Sequence, residues 1–129
     1  MHFKKEDVPV RPGNDGAFRS IKAGEMEIGF TTVDRPIDCT PLYKGLPGDM
    51  CPCDHYGYVF SGSIRARYAD GSEEVIGPGC VYWIPKGHVL IYDEPTVHLE
   101  INPHRQLDQL MSVVDSNVAA LRHSPAIPK

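Results

Sequence analysis

The sequence has no uninterrupted run of 18 apolar residues, the length that a membrane-crossing helix needs. Basic residues are few: 13 Lys and Arg stand against 17 Asp and Glu, a formal net charge of −4. A nucleic-acid binder usually carries a basic stripe, so the composition speaks against nucleic acid as a partner. The first residues, MHFKKEDVPVRPG, pass from two lysines to acids and prolines with no apolar stretch, which is not the pattern of a signal peptide. The expected compartment is therefore the cytoplasm. Three chemical signatures are also missing: the Gly-x-Gly-x-x-Gly fingerprint, the phosphate-cradling Gly-x4-Gly-Lys-Ser/Thr loop and the Gly-x-Ser-x-Gly elbow. Nucleotide-dependent and serine-hydrolase readings have no support.

Twelve Gly and twelve Pro in 129 residues punctuate the chain heavily. That density disfavours a helical bundle and favours many short strands joined by turns. The length fits one domain. Residues 1–24 read as an extended arm. Residues 25–33 alternate, with Met26, Ile28 and Phe30 on one face and Glu25 and Glu27 on the other, which describes a half-buried strand. Residues 34–50 hold three prolines and two glycines and read as a long irregular connection. Between 55 and 102, six short strands are expected at 56–60, 63–69, 72–76, 81–84, 89–92 and 97–101. Asp70-Gly71 marks a tight hairpin, because such a turn needs positive φ at its centre. This regular spacing predicts a sandwich or barrel over 25–103. Leu107, Leu110, Met111, Val114 and Val118 then recur at helical intervals, predicting an amphipathic helix from 104 to 121 with a break near Ser116. Two prolines in the tail, within 104–129, end it.

The cysteines are Cys39, Cys51, Cys53 and Cys80. Without a secretory leader, disulfides are a poor reading. Cys51 and Cys53 flank a single proline, which makes a bond between them awkward. Reduced thiols near a histidine point to metal or to reactivity.

The stretch HYGYVFSGSIRARYADGSEEVIGPGCVYWIPKGH resembles the cupin superfamily. The second cupin motif, G-x5-P-x-G-x2-H-x3-N, is matched in spacing by Gly79, Pro85 and Gly87, while its histidine and asparagine positions hold Leu90 and Glu94. His88 lies two residues earlier. In the first motif, G-x5-H-x-H-x3,4-E-x6-G, His55 takes the glutamate position before Gly62, and Asp49 and Cys51 take the two histidine positions. The resemblance covers residues 48–102. Cys51-Pro52-Cys53-Asp54-His55-Tyr56-Gly57-Tyr58-Val59 also resembles a group of small single-domain cupins with the motif Cys-x-Cys-x-His-(Trp/Tyr)-Gly-Tyr-Val. The resemblance implies an all-β fold, a jelly-roll barrel of the double-stranded β-helix type, with the arm before it and the helix after it. Cupins of this size are commonly homodimers, so it also implies a homodimer. An arm exchanged between protomers would give 1–24 a surface to pack on.

If residues 51–55 are extended, Cys51, Cys53 and His55 share one face. Thiolate and imidazole together suit zinc, iron or copper. Three ligands at i, i+2 and i+4 would span about 13–14 Å, at 3.3–3.4 Å per residue. That is too far for all three to reach one ion, so His55 with Cys51 or Cys53 is the expected pair. The alternative is that both cysteines are buried small hydrophobes. His88 is either a ligand or acid/base group at the barrel mouth, or a turn-capping surface residue. His98, Glu100 and Asn102 alternate opposite Val97, Leu99 and Ile101, and one of these faces must point inward. An inward polar face makes Glu100 a ligand or acid/base group; an outward one is the wet side of a sheet. Arg65 and Arg67 read as an exposed face paired with Glu73 and Glu74 across the hairpin. Tyr58, Trp83 and Tyr92, with the neighbouring aromatics, line either a substrate pocket, the core or a dimer face.

These residues support three readings. The first is an enzyme of isomerase, cyclase, lyase or dioxygenase type, acting on a small organic molecule and using a divalent metal, zinc or iron(II), held by His55, a cysteine and His88. The second is a metal-free acid/base enzyme built on His55 and His88, or on Cys53 with His55. The third is a small-molecule-binding module without catalysis, for which Leu90 at a ligand position speaks.

Overall fold

A computed structural model describes residues 1–12 and 17–122. The prolines of the tail and the glycines at 13 and 16 lie outside the described residues. Among the described residues, nine strands build two antiparallel sheets that face each other. In chain order these are β1 (Phe18–Ala23), β2 (Met26–Val33), β3 (Ile37–Asp38), β4 (His55–Ser61) and β5 (Ile64–Tyr68). They continue with β6 (Glu73–Ile76), β7 (Val81–Ile84), β8 (His88–Tyr92) and β9 (Thr96–Pro103), and end with helix α1 (His104–Arg122). The first sheet runs β1-β2-β9-β4-β7 and the second β3-β8-β5-β6. The six strands expected between 55 and 102 are all present, within two residues at each end. No helix of the described residues is long and apolar enough to cross a membrane.

Two differences from the sequence reading concern the flanks. The segment read as an arm contains β1, which pairs along its whole length with β2. The residues before it are tied down as well: Val10 bridges to Arg19 and Val8 is buried. Phe18 and Ile21 supply apolar contact, but Arg19 and Ser20 between them and Lys22 after them obscure the strand pattern. The second difference is that α1 runs unbroken through Ser116. Leu107, Leu110, Met111 and Val114 are buried on one stripe of α1, and each contributes on the order of 1.5–3 kcal/mol by leaving water. Asn117 adds an anchor: its Nδ2 donates to the carbonyls of Leu42 and Lys44, 2.8 Å each. With that second attachment, the last turns need no apolar stripe of their own.

The first sheet inverts the usual amphipathic rule. The buried side of β2 carries Glu27, Gly29, Thr31 and Val33, while Met26, Ile28 and Phe30 are only half buried on its other side. The same holds on β9: Thr96, His98, Glu100 and Asn102 are buried, and Val97, Leu99 and Ile101 lie opposite. Buried polar groups are tolerated where they find partners. Arg11 and Ser20 reach Glu27 Oε2 at 2.7 and 2.5 Å, and Thr31 reaches Glu100 at 2.6 Å, while Glu27 Oε1 and Asn102 Nδ2 are buried without a partner. Arg65 is a surface residue, bonded to Glu73 and Asp93.

Two glycines flank Glu100 in the register, Gly29 on β2 and Gly57 on β4. The side chains that meet the carboxylate come instead from Thr31 and His55, each two residues away along these strands. A Cβ at Gly57 would lie 1.9 Å from the Leu99 carbonyl oxygen and 2.6 Å from the Tyr82 hydroxyl. Backbone cannot yield that much. Gly57→Ala is expected to destabilise the fold by about 2 kcal/mol or more. Urea unfolding checks this: the midpoint should fall at an unchanged m value.

Candidate functional site

His55 opens β4 and is 2% exposed. Its Nδ1 lies 3.0 Å from Glu100 Oε1 and 2.5 Å from Asn102 Oδ1. Both partners are acceptors, so Nδ1 carries the proton. The other ring nitrogen, Nε2, faces Cys51 Sγ at 3.4 Å.

His88 approaches from the opposite sheet. It opens β8, is fully buried, and its ring centroid lies 5.1 Å from that of His55. Its Nδ1 sits 2.6 Å from the Pro85 carbonyl oxygen and donates to it. Nε2 therefore holds a lone pair, and this buried atom has no hydrogen-bond partner. Backbone geometry fixes the approach: Cys51 N–H donates to the His88 carbonyl and Gly87 N–H to the Cys51 carbonyl, each at 2.8 Å. Gly87 turns the chain there with φ +91°, a conformation that other residues rarely adopt.

Cys51, His55 and His88 thus offer one donor atom each, all within 4.8 Å of one another. The straight-strand estimate of the sequence analysis kept three ligands of residues 51–55 apart. The structure bends the chain before β4 and draws the third donor from another sheet. Cys53 is buried beside them, its Sγ 3.3 Å from the Asp54 carbonyl oxygen and also within reach of His55, but it is not one of the three converging donors. Burial pushes its thiol pKa up, so it stays protonated.

Electrostatics bind His55 to Glu100. Burial opposes charge on the ring, but Cys51 and Glu100 outweigh it and hold the His55 pKa well above the ordinary value. Burial would likewise raise Glu100; His55 and the Thr31 hydroxyl overcome it and bring the carboxyl down to about 2. His88 goes the other way: burial and the neighbouring His55 depress it to about 4, so it is neutral.

A cavity of about 130 Å³ lies on the far side of this cluster, walled by α1 and floored by the inner sheet faces. Glu100, His55, Thr31 and Tyr92 supply its polar edge, and Leu90 part of its apolar wall. Neither Cys51 nor His88 lines it. His55 is the residue common to cavity and donor cluster.

Neither a scan of protein-family models nor a search of curated proteins finds a match. Solved structures do match. The cupin domain of Cnp3 from Schizosaccharomyces pombe aligns with TM-score 0.53 over 80% of this chain and 68% of its own, at 11% identity. The fold is that of a cupin. A Ralstonia eutropha protein, provisionally titled a mannose-6-phosphate isomerase, aligns at TM-score 0.52 and 25% identity over 80% of this chain and 97% of its own. KdgF from Halomonas sp. aligns at 0.50 and 14%, over 80% and 93%.

The cupin motif positions are only partly used. Asp49 is exposed and accepts from the Gly45 N–H, and Leu90 lines the cavity as an apolar group. Of the aromatic candidates, Tyr92 is at the cavity, whereas Tyr58 is half-buried and Trp83 60% exposed on the outer face of the first sheet. Thr31, not singled out from sequence, completes the site by bonding Glu100. Asn102, expected only as part of the polar face of the last strand, orients His55, and Tyr82, expected only among the neighbouring aromatics, orients His98. The sequence signal of Thr31 and Asn102 is polar alternation on β2 and β9, which reads equally well as a wet outer face.

His98 is held between two phenols. Tyr82 donates its only hydroxyl proton to the Leu99 carbonyl, so it accepts from His98 Nδ1–H; His98 Nε2 then accepts from Tyr92. This order needs a neutral ring. Burial lowers the His98 pKa against the pull of Glu100, with His55 adding to the lowering. A histidine depressed in the folded state stabilises the fold above its unfolded pKa, about 6.5, and loses that contribution as pH falls. Stability should therefore drop below pH about 6.5, by at most about 1.4 kcal/mol per pH unit for this one proton. His98→Gln should shallow the decline in urea titrations, and an unchanged slope would refute the assignment. His88 adds its own share in both proteins.

Proposed function

We propose that this cupin is a metal-dependent enzyme acting on a small organic molecule inside the barrel, with Cys51, His55 and His88 as ligands of zinc or iron(II). One observation carries the reading: both imidazoles have Nδ1–H committed to an acceptor and Nε2 turned to the same point, where Cys51 Sγ also lies. Metal-ligating histidines are oriented in this way, through the N–H they do not use for the metal. The partnerless Nε2 of His88 is otherwise a buried polar atom left unpaid. A sulfur donor with two imidazoles suits zinc best, and three protein ligands leave a position open.

A divalent ion there would supply Lewis acidity or an activated water. The chain's own part is proton handling. Glu100 faces the cavity as a carboxylate able to accept a proton from a bound substrate and return it. His55 and Thr31 fix its two oxygens. Isomerase or lyase chemistry draws directly on such a group; cyclase and dioxygenase chemistry would rest more on the ion. The substrate of the Ralstonia neighbour's name, a sugar phosphate, finds no Lys or Arg among the residues lining this cavity.

A second reading is metal-free acid/base catalysis by His55 with His88 or Glu100. It draws on the cavity touching His55 and Glu100 but neither of the other two donors. Metal analysis separates the two. Protein purified without chelator or metal affinity resin should hold about one equivalent of zinc or iron, and His88→Gln should weaken binding about tenfold or more. Less than about a tenth of an equivalent after titration with either ion would leave the metal-free reading.

The outer face of the first sheet supports a homodimer. Val81 is 83% and Phe60 48% exposed, Trp83 stacks on Tyr56, and Phe60 packs against Tyr58 and Phe30. Aromatic residues are what interfaces are enriched in, and these positions carry no charge to repel a second copy. β7 is also an edge strand, open to pairing. Sedimentation should give a dimer, and Trp83→Lys a monomer with the metal retained. All four cysteines are free thiols, which a reducing compartment such as the cytoplasm preserves.

A further inference from the structure

The cavity's size limits what the site accepts. At about 130 Å³ it approaches the roughly 150 Å³ apolar cavity that holds benzene in another protein. A guest of about six non-hydrogen atoms fills it.

Its charge limits the guest further. Glu100 is the carboxylate on the wall, and no Lys or Arg among the described residues lines the space. His55 is already shared with Glu100 and Asn102. The part-buried guanidinium of Arg11 is engaged with Glu27 and Asp108. A carboxylate or phosphate entering here would be desolvated against a like charge without a partner.

The hydrogen-bonding polarity is also set. Tyr92 spends its proton on His98, so its hydroxyl has none left for a guest. Glu100 uses two of about four acceptor positions, on Thr31 and His55. Around Glu100 the wall therefore offers lone pairs and asks for a donor, while the Tyr43 side chain also lines the space and can take a lone pair of the guest. Opposite that wall, α1 presents Leu107, Leu110, Met111 and Val114.

We propose that the cavity binds an uncharged molecule of about benzene size bearing a hydroxyl on an apolar body, a phenol or small cyclic alcohol, with its O–H donated to Glu100. This names the substrate class of the site proposed above and rests on that reading's placement of the substrate in the barrel. It does not require the metal, because the donor cluster touches the cavity only through His55.

Calorimetric titration with phenol, toluene, benzoate and a hexose 6-phosphate, on chelated and on zinc-loaded protein, provides the test. Phenol should bind in both states, about tenfold tighter than toluene, the value of a hydrogen bond to a buried charge. Benzoate and the hexose phosphate should not bind at the same concentrations. Glu100→Gln should level phenol with toluene. Leu110→Phe and Val114→Phe, which grow into the space from α1, should each weaken phenol about tenfold or more, by occlusion, while metal binding persists. The proposal fails if an anion binds tighter than phenol, if toluene matches phenol in the unmodified protein, or if both filled variants bind phenol unchanged. Absence of phenol binding with metal retained defeats this proposal alone. Phenol binding without any metal uptake defeats the metal reading alone.

Discussion

The His55 imidazole joins everything that gives this barrel chemistry. One ring nitrogen donates toward Glu100 and Asn102, and the other faces Cys51 with His88 close by. Burying a carboxylate and a histidine together is tolerable only because each lowers the cost of the other. Remove the ring, and Glu100 is a charge inside a sandwich with a hydroxyl as its remaining partner. The cavity would lose its polar edge and the donor cluster its centre.

That arrangement depends on an inverted sheet. β2 and β9 turn polar side chains inward and leave apolar ones outside. The inversion has two consequences. Inside, it places Thr31, Glu100, Asn102 and His98 where water is scarce and hydrogen bonds are directional. Outside, it leaves exposed aromatic and apolar side chains. A polar interior and an aromatic exterior thus follow from one choice of strand register, since a shift of one residue would exchange the two faces.

The second sheet and α1 supply the apolar counterweight. β8 is buried along its length and carries His88 toward the first sheet and Leu90 and Tyr92 toward the cavity. α1 closes the space with its single apolar stripe, fastened by Asn117 and by the Arg11–Asp108 contact. The cavity is consequently the space left between the inner sheet faces and α1.

Local chemistry was enough to read much of this from the amino acids. Turn residues and period-two alternation marked the six strands from 55 to 102, because glycine, proline and β-branched residues constrain their own backbone. The helical stripe from Leu107 to Val114 was equally legible. His55 and His88 stood out as residues able to bind or move protons together, but their approach from two different sheets did not. Three matters were decided only by the folded chain. Which face of β9 points inward depends on what lies across the sandwich, and alternation is symmetric to that question. Whether Cys51 or Cys53 meets His55 depends on the bend before β4 and on the bridge from Cys51 to His88. The size of the cavity depends on where α1 settles. Side-chain identity sets what a group can do; the distance between groups on different sheets is a property of packing, which no short stretch of sequence contains.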